Sequence, residues 1–185
     1  MIEIKNLTKA FGKKKVINNL SLTVKKGERI SIIAPSGSGK TTLFRIISGI
    51  DKKYDGYCKC DGRVSYMFQE DRLFEFSTVL ENLTAVTDDE EKALSTLVAL
   101  ELPDSADSYP SDLSGGMKRR VALARALLAE SDVILLDEPF VGLDEELKKR
   151  IAPAVSELIG EKTLLVVTHY KDEAEMLLCK NACSL

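Results

Sequence analysis

The chain has 185 residues, of which 44% are hydrophobic, as expected for a globular protein with one sizeable core. Its 26 basic and 29 acidic residues give a net charge of −3, which argues against a nucleic-acid-binding protein. No segment approaches the roughly 18 consecutive apolar residues of a membrane-spanning helix, and residues 1–5 show no apolar signal-peptide core. We therefore expect a cytoplasmic protein that could serve a membrane only through a partner.

The first third of the chain has the pattern of strands joined by turns. Apolar residues recur in three short runs, separated by glycine-containing turns at residues 11–13 and 26–28. The predicted strands cover residues 2–7, 16–24 and 29–33. A glycine-rich turn follows the third strand, and the apolar spacing over residues 41–48 then predicts a helix that ends at Gly49.

Strands and helices continue to alternate in the rest of the chain. Predicted strands lie at 64–68 and 133–136 and at 163–168, and predicted helical stretches at about 79–102, 115–129 and 147–159. An acidic run at 88–91 divides the first of these stretches, and Pro153 predicts a kink in the last. Such alternation is typical of a parallel sheet covered on both faces, which binds ligands beyond the carboxyl ends of its strands. Gln69, Asp137 and His169 all follow such strand ends.

The loop between the third strand and the first helix has the composition of a phosphate-binding loop. Its residues are Ala34, Pro35, Ser36, Gly37, Ser38, Gly39, Lys40 and Thr41. Backbone N–H groups and a helix N-terminus can surround an anion there, Lys40 can reach the β- and γ-phosphates, and Thr41 can ligate Mg²⁺. Thr42 can donate to an α-phosphate oxygen. Ala34 replaces the first glycine of the strict motif, and Pro35 favours an extended, negative-φ conformation at that position.

Asp137 and Glu138 follow the most apolar strand. An isolated Asp-Glu pair would more often simply begin a loop. Beside a phosphate loop, however, the first carboxylate can hold Mg²⁺, usually through water, and the second can act as a general base on an attacking water. The pair therefore predicts a nucleotide-hydrolysing site.

The segment Leu113-Ser114-Gly115-Gly116-Met117 resembles the L-S-G-G-Q signature of the ATP-binding-cassette (ABC) ATPases. With the phosphate loop and the Asp-Glu pair, the resemblance covers nearly the whole chain. It implies an α/β fold: a P-loop NTPase core with a mostly parallel sheet, a small antiparallel β lobe and a helical subdomain that carries the signature. We expect a single domain over 1–185, with core and β lobe in about 1–69 and 130–185 and the helical subdomain in 70–129.

The resemblance also implies roles for individual residues. Catalysis would involve Glu138, His169, Gln69 and Lys40, and the metal would be held by Thr41, Gln69 and Asp137. Gln69 matches the family's glutamine loop, and His169 matches its switch histidine. Phe11 would stack on adenine. In a second subunit, Ser114, Gly115 and Gly116 would contact the γ-phosphate, and Asp144 lies in the loop that crosses between subunits.

The function implied is ATP hydrolysis, with Mg²⁺, that powers a membrane transporter. The expected partners are a second cassette, as a homodimer formed on ATP binding, an integral-membrane permease at the inner face of the cell membrane and, for an importer, a solute-binding protein; no nucleic acid is expected. The residues around Gln69 and after Asp137 resemble importers of the nitrate, sulfonate and taurine type. Phe74 and Phe76 are expected to help form the surface that docks on the permease.

Two other functions stay open at this point. Soluble ABC ATPases that act on DNA or ribosomes carry coiled-coil insertions or two fused cassettes, whereas only 44 residues separate Gln69 from Ser114. A catalytically silent nucleotide-binding module would explain Ala34 and the replacement of the signature glutamine by Met117. Sixteen residues follow His169, which is short for this family and gives no basis for expecting a regulatory domain or further sheet strands.

Overall fold

The computed structural model describes residues 1–35 and 37–183, with the backbone alone for the last three. In chain order the elements are β1 (Ile2–Phe11), β2 (Lys14–Val24), β3 (Arg29–Ile33), α1 (Lys40–Ile47), β4 (Asp55–Cys60), β5 (Val64–Met67), α2 (Val79–Thr84), α3 (Glu90–Ala99), α4 (Gly115–Leu128), β6 (Val133–Asp137), α5 (Glu145–Ile159), β7 (Thr163–Thr168), α6 (Lys171–Met176) and β8 (Lys180–Cys183). A short 3₁₀ turn at Pro110–Asp112 precedes α4. Within these ranges no helix is both long and apolar enough to cross a bilayer.

A five-stranded parallel sheet in the order β5-β6-β7-β3-β8 forms the centre of the fold. All residues of β6 and β7 are buried, because these strands lie inside the sheet and are covered on both faces. A three-stranded antiparallel sheet, β2-β1-β4, lies beside it. The expected α/β fold, with a parallel sheet and a small antiparallel sheet, is therefore confirmed.

The two faces of β6 and β7 pack into different hydrophobic clusters. Successive side chains of a strand point to opposite faces, so Val133 and Leu135 meet α1 and the antiparallel sheet, whereas Ile134 and Leu136 meet α2 to α5. These two clusters hold the central strands from both sides. As a result, the loops at the carboxyl edge of the sheet start from rigid positions.

Most predicted elements occur within one to three residues of their expected bounds. The acidic run starts α3, where the Asp89 side chain caps the helix by accepting from Lys92 N at 2.8 Å. Pro153 lies inside α5. Local patterns predict neither α6 nor β8, although β8 pairs with β3 as the sheet's edge strand. Its four residues are too few for a recognisable periodicity.

Gly56 allows the backbone of β4 to lie so close to that of β1 that no Cβ atom would fit between them. Its φ is +94°, and an added Cβ would lie 2.4 Å from Asn6 O. We expect Gly56→Ala to destabilise the protein by about 2–4 kcal/mol, since backbone strain and a clash with a strand combine. Thermal or denaturant unfolding would measure this.

Gly12→Ala is the matched control, because Gly12 has a φ of +60° but open space around its Cβ position. It should lose only the strain of about 1 kcal/mol. Equal losses for the two variants would show that the close approach of the strands is not the constraint.

Candidate functional site

The phosphate loop joins β3 to α1 and holds a cation without a carboxylate partner. Lys40 is only 6% exposed, and its Nζ donates to Ala34 O at 2.6 Å and Pro35 O at 3.0 Å. Among the described residues, the polar partners of this ammonium are these two carbonyls and no carboxylate. Its charge is thus balanced only by carbonyl dipoles, which leaves it ready for an anion.

The backbone of the loop is shaped by glycine. Gly37 and Gly39 have φ values of +77° and +94°, and a Cβ on Gly39 would lie 2.5 Å from Val16 O. Gly39 is the N-cap residue of α1 and has no side chain that could accept a hydrogen bond. The first N–H groups of the helix are therefore free to donate to a ligand. The Ser38 hydroxyl is likewise buried with no hydrogen-bond partner. These unpaired donors fit a phosphate group.

The substitution at the start of the loop is accommodated. Ala34 is buried and does not have a positive φ, so its methyl group introduces no backbone strain, as expected from the neighbouring Pro35. Ser36, which the sequence also places in this loop, lies outside the described residues.

A cleft of about 330 Å³ opens over the loop. It brings Gln69 and Glu138 together with the phosphate loop, although they come from the ends of different strands. The cleft is lined by Lys14, Val16, Gly37, Gly39, Lys40, Thr41, Thr42, Gln69 and Glu138.

Of the remaining predicted site residues, Phe11 is 56% exposed at the end of β1 and pairs across the hairpin with Lys14 of the cleft. The ammonium of Lys9 lies 5.0 Å from the centre of the Phe11 ring.

Thr41 and Asp137 form an oxygen-rich pair beside the cleft. The Thr41 hydroxyl donates to Asp137 Oδ2 at 2.8 Å, and the Tyr66 hydroxyl donates to the same oxygen at 3.4 Å. Asp137 is 1% exposed, and this burial raises the pKa of its carboxyl group above the ordinary value. No cluster of three metal-ligating acidic, histidine or cysteine side chains occurs in the part of the chain that the structure describes. A hydroxyl, a carboxylate and the nearby Gln69 fit Mg²⁺, which completes its shell with phosphate and water oxygens.

Glu138 and His169 meet at the ends of the neighbouring strands β6 and β7. His169 Nε2 lies 2.8 Å from Glu138 Oε1, and the Glu138 side chain is 12% exposed. Glu138 has a φ of +54°, a conformation that is strained for a residue with a side chain. Its N–H donates to Val167 O at 2.8 Å, so the turn is anchored to β7. The two residues that the sequence placed at strand ends are therefore in direct contact.

The signature segment and Asp144 lie outside this cleft. Ser114 caps α4 by accepting from Met117 N at 3.3 Å, and Asp144 caps α5 by accepting from Leu147 N at 2.9 Å. A Cβ on Gly116 would come within 3.3 Å of Gly142 O, so the two segments pack together. None of them lines the cleft that contains Lys40.

Sequence reasoning missed two residues that hydrogen-bond to residues of the site: Tyr66 donates to Asp137, and Arg119 donates to backbone carbonyls of Gln69 and Glu138. Tyr66 gives no signal, because an aromatic residue in a strand is usually core. Arg119 does give a signal in the sequence. On α4 it lies at helical spacing (three, four and seven residues) before the buried residues Ala122, Leu123 and Ala126, and therefore on the buried face of the helix. An arginine on the apolar stripe of a helix must have acceptors inside the fold.

Comparisons with known proteins agree with this arrangement. A family model described as ABC transporter matches residues 17–141. The sulfate/thiosulfate import ATP-binding protein of Escherichia coli K12 is 38% identical, with 94% of this chain aligned to 54% of that protein. The aliphatic sulfonates import ATP-binding protein of Bacillus licheniformis is 39% identical over 91% of this chain and 74% of that protein.

A solved structure shows the same fold. The dimeric post-hydrolysis state of an ATP-binding cassette bound to ADP and Pi matches with a TM-score of 0.85 and 32% identity, over 95% of this chain and 91% of that one. The chain spans about half the length of the sulfate/thiosulfate relatives, 54%. The resemblance inferred from the signature segment is confirmed: the chain belongs to the ABC transporter family.

Proposed function

We propose that this chain binds and hydrolyses ATP and thereby drives import through a separate membrane permease. The observation that carries the proposal is the meeting of Lys40, the Thr41–Asp137 pair and the Glu138–His169 pair at one edge of the parallel sheet. The relatives named as sulfate/thiosulfate and sulfonate import proteins support a small oxyanion as the solute.

ATP would lie with its phosphates over the glycine loop. The N–H groups of Gly37, Gly39 and the first turn of α1 would donate to phosphate oxygens, and Lys40 would exchange its carbonyl acceptors for the β- and γ-phosphates. Thr42 lines the same cleft and is assigned to the α-phosphate, and Phe11, which pairs with the cleft residue Lys14, is assigned to the adenine ring. The other loop residues, Ala34, Pro35 and Ser38, would shape this binding surface, and Ser36 is assigned to the loop by its place in the sequence alone.

Thr41, Asp137 and Gln69 would hold Mg²⁺. When bound, the ion would neutralise negative charge on the phosphates. Among the chain's own residues, Glu138 is assigned as the general base that takes a proton from the attacking water. The water oxygen forms a bond to the γ-phosphorus, the bond to the β–γ bridging oxygen breaks, and ADP leaves. Lys40 stabilises the developing charge and His169 orients Glu138 and the γ-phosphate.

One chain would supply only half of each site. Ser114, Gly115 and Gly116 lie away from the cleft, with free helix N-terminal donors that suit the γ-phosphate held by a second copy. Asp144 packs next to them and would cross to that copy. The dimeric state of the solved relative supports this arrangement.

The chain would act as one domain, with core and β lobe in 1–69 and 130–185 and the helical subdomain in 70–129. Between Gln69 and the signature, the structure has only two α-helices, of six and ten residues, and one short 3₁₀ turn. This supports a transporter subunit over the soluble ABC ATPases with coiled-coil insertions. The proposed partners are a permease at the inner face of the membrane and a solute-binding protein.

A second cleft, of about 340 Å³, lies between the end of β5 and α4 and suits a permease segment. Its lining includes the apolar residues Met67, Phe68, Phe74 and Val86 and the charged residues Asp71, Arg72 and Arg125. Phe74 is 54% and Phe76 is 98% exposed, which is unusual for phenylalanine in a protein without a partner.

The Glu138→Gln variant tests the general base. It should lower ATP turnover about a hundredfold or more, because the amide cannot take a proton, while ATP binding persists and an ATP-bound dimer accumulates. Steady-state turnover and size-exclusion chromatography with ATP would measure this. Glu146→Gln, at an exposed position on α5, is the control. Unchanged turnover in Glu138→Gln would remove Glu138 from this role.

Asp137→Asn should separate stability from function. The amide oxygen still accepts from Thr41, and removal of a buried charge should stabilise the nucleotide-free protein by about 1 kcal/mol. Loss of a metal ligand should weaken Mg²⁺-dependent ATP binding about tenfold or more. Thermal unfolding with and without MgATP would measure both, with exposed Asp172→Asn as control. A less stable nucleotide-free variant would contradict the expectation.

The double variant Phe74→Ser and Phe76→Ser should uncouple transport from hydrolysis. The fold should persist, because Asn82 holds the backbone N–H and carbonyl of Phe74 rather than its ring. Uptake of sulfate or an alkanesulfonate by cells should fall about tenfold or more, as for loss of interface anchors, while the purified chain keeps its ATPase activity. The control is Leu94→Ser with Val98→Ser, two exposed apolar residues on α3. Loss of ATPase activity or of folding would refute the docking role.

A further inference from the structure

Arg119 is a buried cation whose hydrogen bonds join two loops of the site. It is 4% exposed, and its Nη1 donates to Phe68 O and Gln69 O, both at 2.9 Å. Its other nitrogens donate to the segment after β6: Nη2 donates to Asp137 O and, at 2.7 Å, to Glu138 O, and Nε donates to Glu138 O at 3.2 Å. One guanidinium therefore fixes the backbone at the carboxyl ends of β5 and β6.

The charge of Arg119 is balanced mainly by backbone dipoles. Among the described residues, its one ion pair with a carboxylate is with Asp71, at 3.0 Å, whose side chain is 26% exposed. A buried cation is tolerated only when its donors are satisfied, and here four carbonyl groups and one carboxylate satisfy them. The planar guanidinium of arginine can donate to acceptors on two segments at once, whereas the ammonium of lysine is a compact charge at the end of a flexible chain.

These bonds hold a strained turn. Glu138 has a φ of +54°, which a residue with a Cβ adopts only when its surroundings fix it. Arg119 binds the carbonyls on both sides of the Glu138 N–Cα bond, and Val141 N adds a donor to Glu138 O at 3.3 Å. The same turn directs the Glu138 carboxylate towards His169, 2.8 Å away.

We propose that Arg119 is a positioning residue for hydrolysis: by holding the carbonyls of Asp137 and Glu138, it keeps the Glu138 carboxylate aimed at the attacking water. The inference rests on the proposed role of Glu138 as general base. Arg119 itself reaches neither the cleft nor the nucleotide site, so it acts through Glu138. Because it also holds Gln69 O, the position of the glutamine segment and that of the base are set by one side chain.

The test compares Arg119→Lys and Arg119→Gln with Arg29→Gln. Arg29 is the matched control: it also donates to backbone carbonyls, those of Ser156 and Gly160, but from the first residue of β3, at the end of the sheet opposite the site. We expect both Arg119 variants to lower kcat about tenfold or more, since small misplacement of a catalytic group is costly, while KM and the dissociation constant for ATP change less than about threefold. Arg29→Gln should keep the turnover of the parent chain.

A double-variant cycle separates positioning from general damage. In the Glu138→Gln background, the added Arg119→Lys change should leave the residual turnover nearly unaltered, because residues that act through one another are not additive. Equal losses in both backgrounds would overturn the inference. So would unchanged kcat in both Arg119 variants, or loss of ATP binding together with a lower unfolding midpoint, which would assign Arg119 to the fold alone.

These measurements also distinguish failure of the positioning role of Arg119 from failure of the general-base role of Glu138. Full turnover in Glu138→Gln alone would remove the general base and the proposed mechanism. Reduced turnover in Glu138→Gln with normal turnover in Arg119→Lys and Arg119→Gln would leave that mechanism intact and overturn only the role of Arg119.

Discussion

The register of the parallel sheet determines the geometry of the whole site. Asp137 pairs with Val167 and Ile33 pairs with Thr168, so the chain leaves three neighbouring strands at nearly the same level. The next residues along each strand are the phosphate loop, Glu138 and His169. A shift of one residue in any strand would turn its side chains to the opposite face and separate these groups. Parallel pairing thus brings together residues more than a hundred positions apart.

The two hydrophobic clusters make that register rigid. The central strands bury both faces, one against α1 and the antiparallel sheet and the other against the remaining helices. No side chain of β6 or β7 can move to solvent without the loss of a buried contact. The groups proposed to bind ligands lie in the loops at the carboxyl edge of the sheet.

The site contains polar groups whose arrangement disfavours the stability of the fold. Among the described residues, Lys40 is buried with only carbonyl acceptors and the Asp137 carboxylate with only hydroxyl donors, and Glu138 has a strained backbone. Each arrangement suits an anion, a divalent cation or a reacting water better than it suits a purely structural role. Arg119 shows how the fold tolerates this, since its guanidinium stabilises the carbonyls of the strained turn.

The sequence alone determined the family, most of the order of strands and helices and the identity of the phosphate loop, because glycine, lysine and carboxylate residues at strand ends form local patterns. It located Lys40, Thr41, Asp137 and Glu138 correctly at the edge of the sheet. Only the tertiary structure decided that Thr41 contacts Asp137, that Glu138 contacts His169, and that Arg119 holds both loops. These contacts depend on strand register and side-chain direction over long sequence distances, and short edge elements such as β8 depend on a neighbouring strand that local periodicity cannot reveal.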